Sequence, residues 1–207
     1  MSRVLISVGL LVAISYVPAS AQDEFKGPEL FPLANFNTWT YRVDGQDDRL
    51  HVTSFQVLEK IGDFRCYRFE GRMRNQTIAS EHISVRKDGV YRVRHDNVDL
   101  EPPLLICRFP PRKGDKWTGE YKINGQKSMI AYECDLDEIA VLKNPKVQVL
   151  VVRGTINDGN GTLKSTCWYA PKLGLVRQVI EEGDARIVIE LESFGLPKKG
   201  GPKPLSP

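Results

Sequence analysis

Few side chains in this 207-residue chain could do chemistry: three histidines, four cysteines and some clustered carboxylates. His95-Asp96-Asn97-Val98-Asp99 sets an imidazole and carboxylates at short spacing, a pattern that could hold a cation. It stands just ahead of Pro102-Pro103, where a polar loop is expected. Ser84-Val85-Arg86-Lys87 has the Ser-x-x-Lys spacing of an acyl-transfer nucleophile and its base. That chemistry needs a helical turn to bring the lysine onto the serine, and these residues run from a strand into a turn. Asp158-Gly159-Asn160-Gly161 resembles the start of a calcium loop but lacks acidic ligands at alternate positions, so a hairpin turn accounts for it. The chain has no Gly-x-Ser-x-Gly elbow, phosphate-binding loop, His-Glu-x-x-His or Gly-x-Gly-x-x-Gly. Glu133, Asp135, Asp137 and Glu138 read as a solvated face. No catalytic, cofactor-binding or metal-binding residue is therefore assigned. Trp39, Trp117 and Trp168 could line an apolar groove, although aromatic residues of β-proteins serve the core first.

The cysteines, Cys66, Cys107, Cys134 and Cys167, take their meaning from the start of the chain. Met1-Ser2-Arg3 is a short basic region, Val4 to Val17 is mostly apolar, and Pro18-Ala19-Ser20-Ala21 ends small-x-small. This is the layout of an export signal over residues 1–21, with the mature chain starting at Gln22. The apolar run is shorter than the roughly 20 residues that span a bilayer, and no later stretch approaches that length. An even number of cysteines in an exported chain, without C-x-x-C spacing, favours two disulfides over a zinc site.

The elements that must position these residues read as strands. β-rich runs occur at 38–43, 64–73, 77–85, 90–94, 117–123, 127–134, 147–153, 162–169, 175–180 and 185–191. Turn signals such as Asn124-Gly125 and Glu182-Gly183-Asp184 separate them. Ala185, Ile187, Ile189 and Leu191 alternate with Arg186, Glu190 and Glu192, the pattern of a half-solvated antiparallel strand. Residues 135–143 alone would suit one or two helical turns.

Phe31-Pro32, Trp39-Thr40 and Tyr41-Arg42-Val43-Asp44-Gly45-Gln46 return as Phe109-Pro110, Trp117-Thr118 and Tyr121-Lys122-Ile123-Asn124-Gly125-Gln126. Gly71 matches Gly154, and Gly89-Val90-Tyr91-Arg92 loosely matches Gly174-Leu175-Val176-Arg177. The reading is an all-β domain over 31–194, built from two antiparallel meanders of about five strands, 31–108 and 109–194. They would form one strongly curved sheet or two packed sheets. A loose leader at 22–30 and a disordered Pro/Lys tail at 195–207 flank it. Three disulfide connectivities are open, and the repeat favours Cys66–Cys107 with Cys134–Cys167.

The Phe-Pro pairs, Gly114-Asp115-Lys116-Trp117, the Gly-Val-Tyr-Arg strand start and Trp168-Tyr169-Ala170-Pro171 before Gly174-Leu175-Val176 resemble a group of functionally uncharacterised exported bacterial β-proteins. More distantly the chain is similar to periplasmic lipoprotein carriers of the LolA type, in fold only. The first half departs from the Gly-x-x-Trp element, with Phe36 in place of the glycine. The resemblance implies a fold and an exported setting, periplasmic or extracellular, and transfers no catalytic residue.

Charge narrows the partners. Residues 22–194 carry 25 basic and 26 acidic residues, so no basic body exists to hold nucleic acid. The reading is a non-enzymatic exported protein that binds an apolar or envelope-derived ligand on a concave sheet face. The alternative is a structural or partner-binding envelope protein without a pocket, and a hydrolase lacks its constellation.

Overall fold

Twelve antiparallel strands close into one barrel in the computed structural model, which describes residues 25–159 and 161–196, the side chains at 57–59 excepted. The expected export signal and nearly all of the expected tail lie outside the described residues. In chain order the strands are β1 (Thr38–Val43), β2 (Arg49–Ile61), β3 (Phe64–Met73), β4 (Gln76–Arg86), β5 (Gly89–His95) and β6 (Val98–Arg108). Then follow β7 (Lys116–Ile123), β8 (Gln126–Val141), β9 (Asn144–Asn157), β10 (Thr162–Ala170), β11 (Gly174–Glu182) and β12 (Ala185–Gly195). Each strand pairs with its predecessor, and β12 returns to β1, with Thr38 opposite Gly195 and Val43 opposite Ile189. Of the two expected arrangements, the single curved sheet is the one that forms, curled until its edges meet. Closure leaves no unpaired strand edge.

Tight turns make the meander. Asn124 and Gly125 have φ of 51° and 78°, the paired left-handed residues of a two-residue hairpin. Arg74-Asn75 and Asp96-Asn97 make equivalent turns without glycine, because asparagine tolerates positive φ.

Several elements differ from the sequence reading. Each half holds six strands, since β2 and β6 join those expected. β6 contains Pro102 and Pro103, which cannot donate to a ladder. Pairing skips them: on the β5 side it jumps from Arg94–Asp99 to Arg92–Leu104, and on the β7 side Glu101–Lys122 is the one pair formed. Residues 135–143 are not helical. β8 runs on to Val141 with Leu136 opposite Leu150 and Ile139 opposite Val147, and Leu142 turns the chain at φ 54°.

The expected loose leader is also corrected from Phe25 onward. Phe25 and Leu30 are buried in the same cluster as Trp117, Leu150 and Val152. A short 3-10 turn, Pro28–Leu30, carries the segment over one barrel end, and the Lys172 N–H donates to the Glu29 carbonyl at 2.7 Å. Phe31 sets its ring 4.9 Å from Tyr169 and 6.2 Å from Phe109. Apolar residues at 25, 30 and 31 thus gain burial that offsets the cost of ordering the segment.

The expected disulfides are not formed; all four cysteines are free thiols. Cys134 and Cys167 both oppose Val152, from the two strands flanking β9. Two strand spacings, roughly 9.5 Å, separate their backbones, beyond the about 7 Å that a bridge can span. Cys66 on β3 and Cys107 on β6 are three strands apart. Burial pushes the Cys66 thiol up to about 11 and the Cys134 thiol to about 12.

Most ion pairs lie on the outer face of the barrel. Arg42 pairs with Glu190 across β1 and β12, Arg49 with Glu192 at 2.6 Å, Lys127 with Glu120 at 2.7 Å and Lys146 with Glu138 at 2.6 Å. No helix among the described residues is long and apolar enough to cross a membrane.

Candidate functional site

Alternation along each strand turns one set of side chains inward. A barrel of about eight strands is filled by such side chains, and twelve strands enclose more room. The space left over is a cavity of about 270 Å³. Trp39, Leu50, Val52, Phe69, Ile83 and Ile106 give it an apolar wall, and Phe31, Pro32 and Leu33 of the N-terminal segment border it. Trp39 is fixed by its indole N–H, which donates to the Leu173 carbonyl at 2.7 Å, and the Tyr41 hydroxyl donates to Leu175 at 3.0 Å.

A polar group interrupts this wall. Glu81 on β4 and Arg92 on β5 both face the cavity, with Arg92 Nε 2.7 Å from Glu81 Oε2. The contact is an ion pair with poor alignment, and neither atom completes a hydrogen bond among the described residues. Glu81 Oε1 lies 2.8 Å from His95 Nδ1, so one carboxylate serves two bases. Arg92 borders the cavity and keeps 33% of its side chain accessible. The Glu81 carboxylate holds the Arg92 guanidinium firmly charged.

A bulge makes this arrangement. Ile83 pairs with Arg92 and His82 with Arg94, so one step on β4 matches two on β5. Arg92 therefore shares the inward face with Ile83, while Arg94 turns outward with His82 and pairs with Asp99 at 2.5 Å.

Cys167 is the one cysteine that borders the cavity, next to Tyr169 and Gln178. Its sulfur is 3.6 Å from the Ser165 hydroxyl, which accepts a hydrogen bond from Gln178 Nε2 at 3.1 Å. Burial raises the Cys167 thiol above its usual range, so it stays protonated near neutral pH and is a poor nucleophile. Burial likewise raises the Tyr132 and Tyr169 phenols.

Of the residues singled out in the sequence for their chemistry, Trp39 and Cys167 line the cavity and His95 reaches its Glu81, while the rest lie elsewhere. His95 to Asp99 form the β5–β6 hairpin, where Asp96 accepts the Ser80 N–H at 2.8 Å and Asp99 is taken by Arg94. Ser84 is buried within β4, and Lys87 sits in the turn beyond it, so the extended backbone holds them apart. In the Asp158 turn, Asn157 and Asp158 accept the N–H groups of Gly159 and Gly161. Trp117 is core, with its indole N–H on the Leu105 carbonyl at 3.0 Å, and Trp168 lies under the Arg177 guanidinium. Sequence reasoning missed Glu81 and Arg92. The signal available was one charge between Val90 and Val93, which are both buried.

No protein-family model and no curated protein sequence matches the chain. Among solved structures, a candidate lipoprotein from Parabacteroides distasonis aligns over 80% of this chain and 98% of its own, with a TM-score of 0.51 at 12% identity. A candidate exported protein with a YmcC-like fold from Bacteroides fragilis aligns over 84% of this chain and 100% of its own, with a TM-score of 0.46 at 14% identity. The first likeness shows a shared fold.

Proposed function

We propose that this chain is an exported, non-enzymatic barrel protein that binds a small apolar or amphipathic ligand inside the barrel. The observation that carries the reading is the largely apolar cavity lined by strand side chains and bordered by Phe31, Pro32 and Leu33. A concave apolar surface with a few convergent polar groups is the usual form of a small-molecule site. The signal-like layout of residues 1–21 supports export, and the lipoprotein description of the Parabacteroides protein agrees with it. The raised thiol of Cys167 argues against covalent chemistry at the cavity.

The test is fluorescence titration of the detergent-free exported chain with the neutral apolar probe N-phenyl-1-naphthylamine. Saturable enhancement at one probe per chain is expected, and Leu50→Trp, which narrows the cavity, should weaken it at least tenfold at unchanged far-ultraviolet dichroism. No saturable enhancement, or equal binding by the narrowed variant, would overturn the reading.

A further inference from the structure

We propose that Arg92 anchors the head of a single-chain amphiphile bearing an oxyanion, with the chain lying along the apolar wall. This rests on the cavity being a ligand site and specifies what enters it. Arg92 is the cation of the cavity wall. Its Nε is buried beside Glu81 without completing a hydrogen bond, and a third of the side chain is accessible, which leaves the outer edge of the guanidinium open. Buried donors left without acceptors are costly, so such a group favours a ligand that supplies them. The flat fork of a guanidinium matches a carboxylate or a phosphate oxygen pair.

Glu81 does not cancel this preference. Its other oxygen lies on His95, so the carboxylate is held at the cavity edge between two bases. Trp39, Leu50, Val52 and Phe69 carry the wall onward with no further formal charge. One charged anchor beside an apolar wall in about 270 Å³ fits one chain rather than several.

The experiment measures displacement of N-phenyl-1-naphthylamine from the exported chain by dodecanoate, dodecyl phosphate and 1-dodecanol. The two anions are expected to bind at least tenfold more tightly than the alcohol, and their relative order tells a carboxylate head from a phosphate head. Glu81→Gln, which frees the fork of its competing carboxylate, should tighten the anions severalfold and leave the alcohol unchanged. Removing Arg92 alone strands Glu81, so the loss variant is the pair Glu81→Gln and Arg92→Met. It should bind the alcohol as before and show no preference for anions. Equal binding of anions and alcohol by the wild type, or a preference surviving in the double variant, would overturn the anchor while leaving the cavity site intact. Binding of none of the three would count against the cavity site itself.

Discussion

Glu81 is shared by two bases, and one of them is a histidine. The hydrogen bond to Glu81, and the charge of that carboxylate, hold His95 above its ordinary value of 6.5, against partial desolvation and the repulsion of Arg92. The folded state therefore binds this proton more tightly than the unfolded chain does. The resulting stability is fully present below about pH 6.5 and is lost as pH rises through the higher folded value. His82 works in the opposite sense. Burial lowers it, its Nδ1 has no partner among the described residues, and the folded state is penalised as pH falls below 6.5. The two together bend the wild-type profile, so the informative quantity is a difference. Urea midpoints from pH 5 to 9 should show His95→Gln less stable than wild type at the acid end. The gap should close toward pH 9; a constant gap would mean that packing, not protonation, sets the contribution of His95.

At the scale of elements, the two halves begin on the same device. Phe36 and Gly114 each stand three residues before a core tryptophan with positive φ, 65° and 86°. Each donates its N–H to the partner strand of the element that follows, Phe36 to Ser54 at 2.7 Å and Gly114 to Cys134 at 2.9 Å. No atom lies within 4 Å of a Cβ built on Gly114, so Gly114→Ala tests the backbone alone. It should cost about 1 kcal/mol by urea unfolding. Phe36→Gly removes the left-handed strain but loses the edge contact with Phe55 at 5.7 Å, and should come out near neutral. The repeat expected from the sequence rests on such punctuation. Trp39 and Trp117 fall in the first strand of each half, Gly71 and Gly154 in the third, and Gly89 and Gly174 open the fifth. What stayed hidden has physical causes. Arg92 and Arg94 have the same parity along β5, and only the bulge opposite His82 and Ile83 sends one inward and the other out. β6 was obscured by prolines that its irregular pairing accommodates. The cysteine pairs failed because barrel closure fixed the order of strands, and a bridge needs neighbours.

Apart from the Glu81–Arg92 pair, the barrel interior is largely apolar and the outer face carries the charge, the reverse of a barrel whose outer face meets lipid. Its outer ion pairs are exposed, so they keep the surface in water more than they add stability. One way out for a ligand bound inside runs past the N-terminal segment, and another runs through the wall. The wall is closed unevenly: β8 and β9 pair along nearly their whole length, while β6 and β7 share one pair, Glu101–Lys122. The end route is guarded by Phe31, which contacts both Tyr169 and Phe109. Each aromatic pair contributes about 0.5–1.5 kcal/mol beyond burial, so losing both weakens the plug by about 2 kcal/mol. At about 1.4 kcal/mol per tenfold, Phe31→Ala should speed release of bound naphthylamine probe by roughly 10- to 30-fold in stopped-flow dilution, with a lower Tm. The alternative route makes a different forecast. If release keeps its wild-type rate while Tm falls, the Phe31 end is not the exit, and the seam between β6 and β7, where the ladder is thinnest, is tested next. A cross-link at Glu101 and Lys122 would then slow release, whereas the end route would leave the cross-linked chain as fast as wild type.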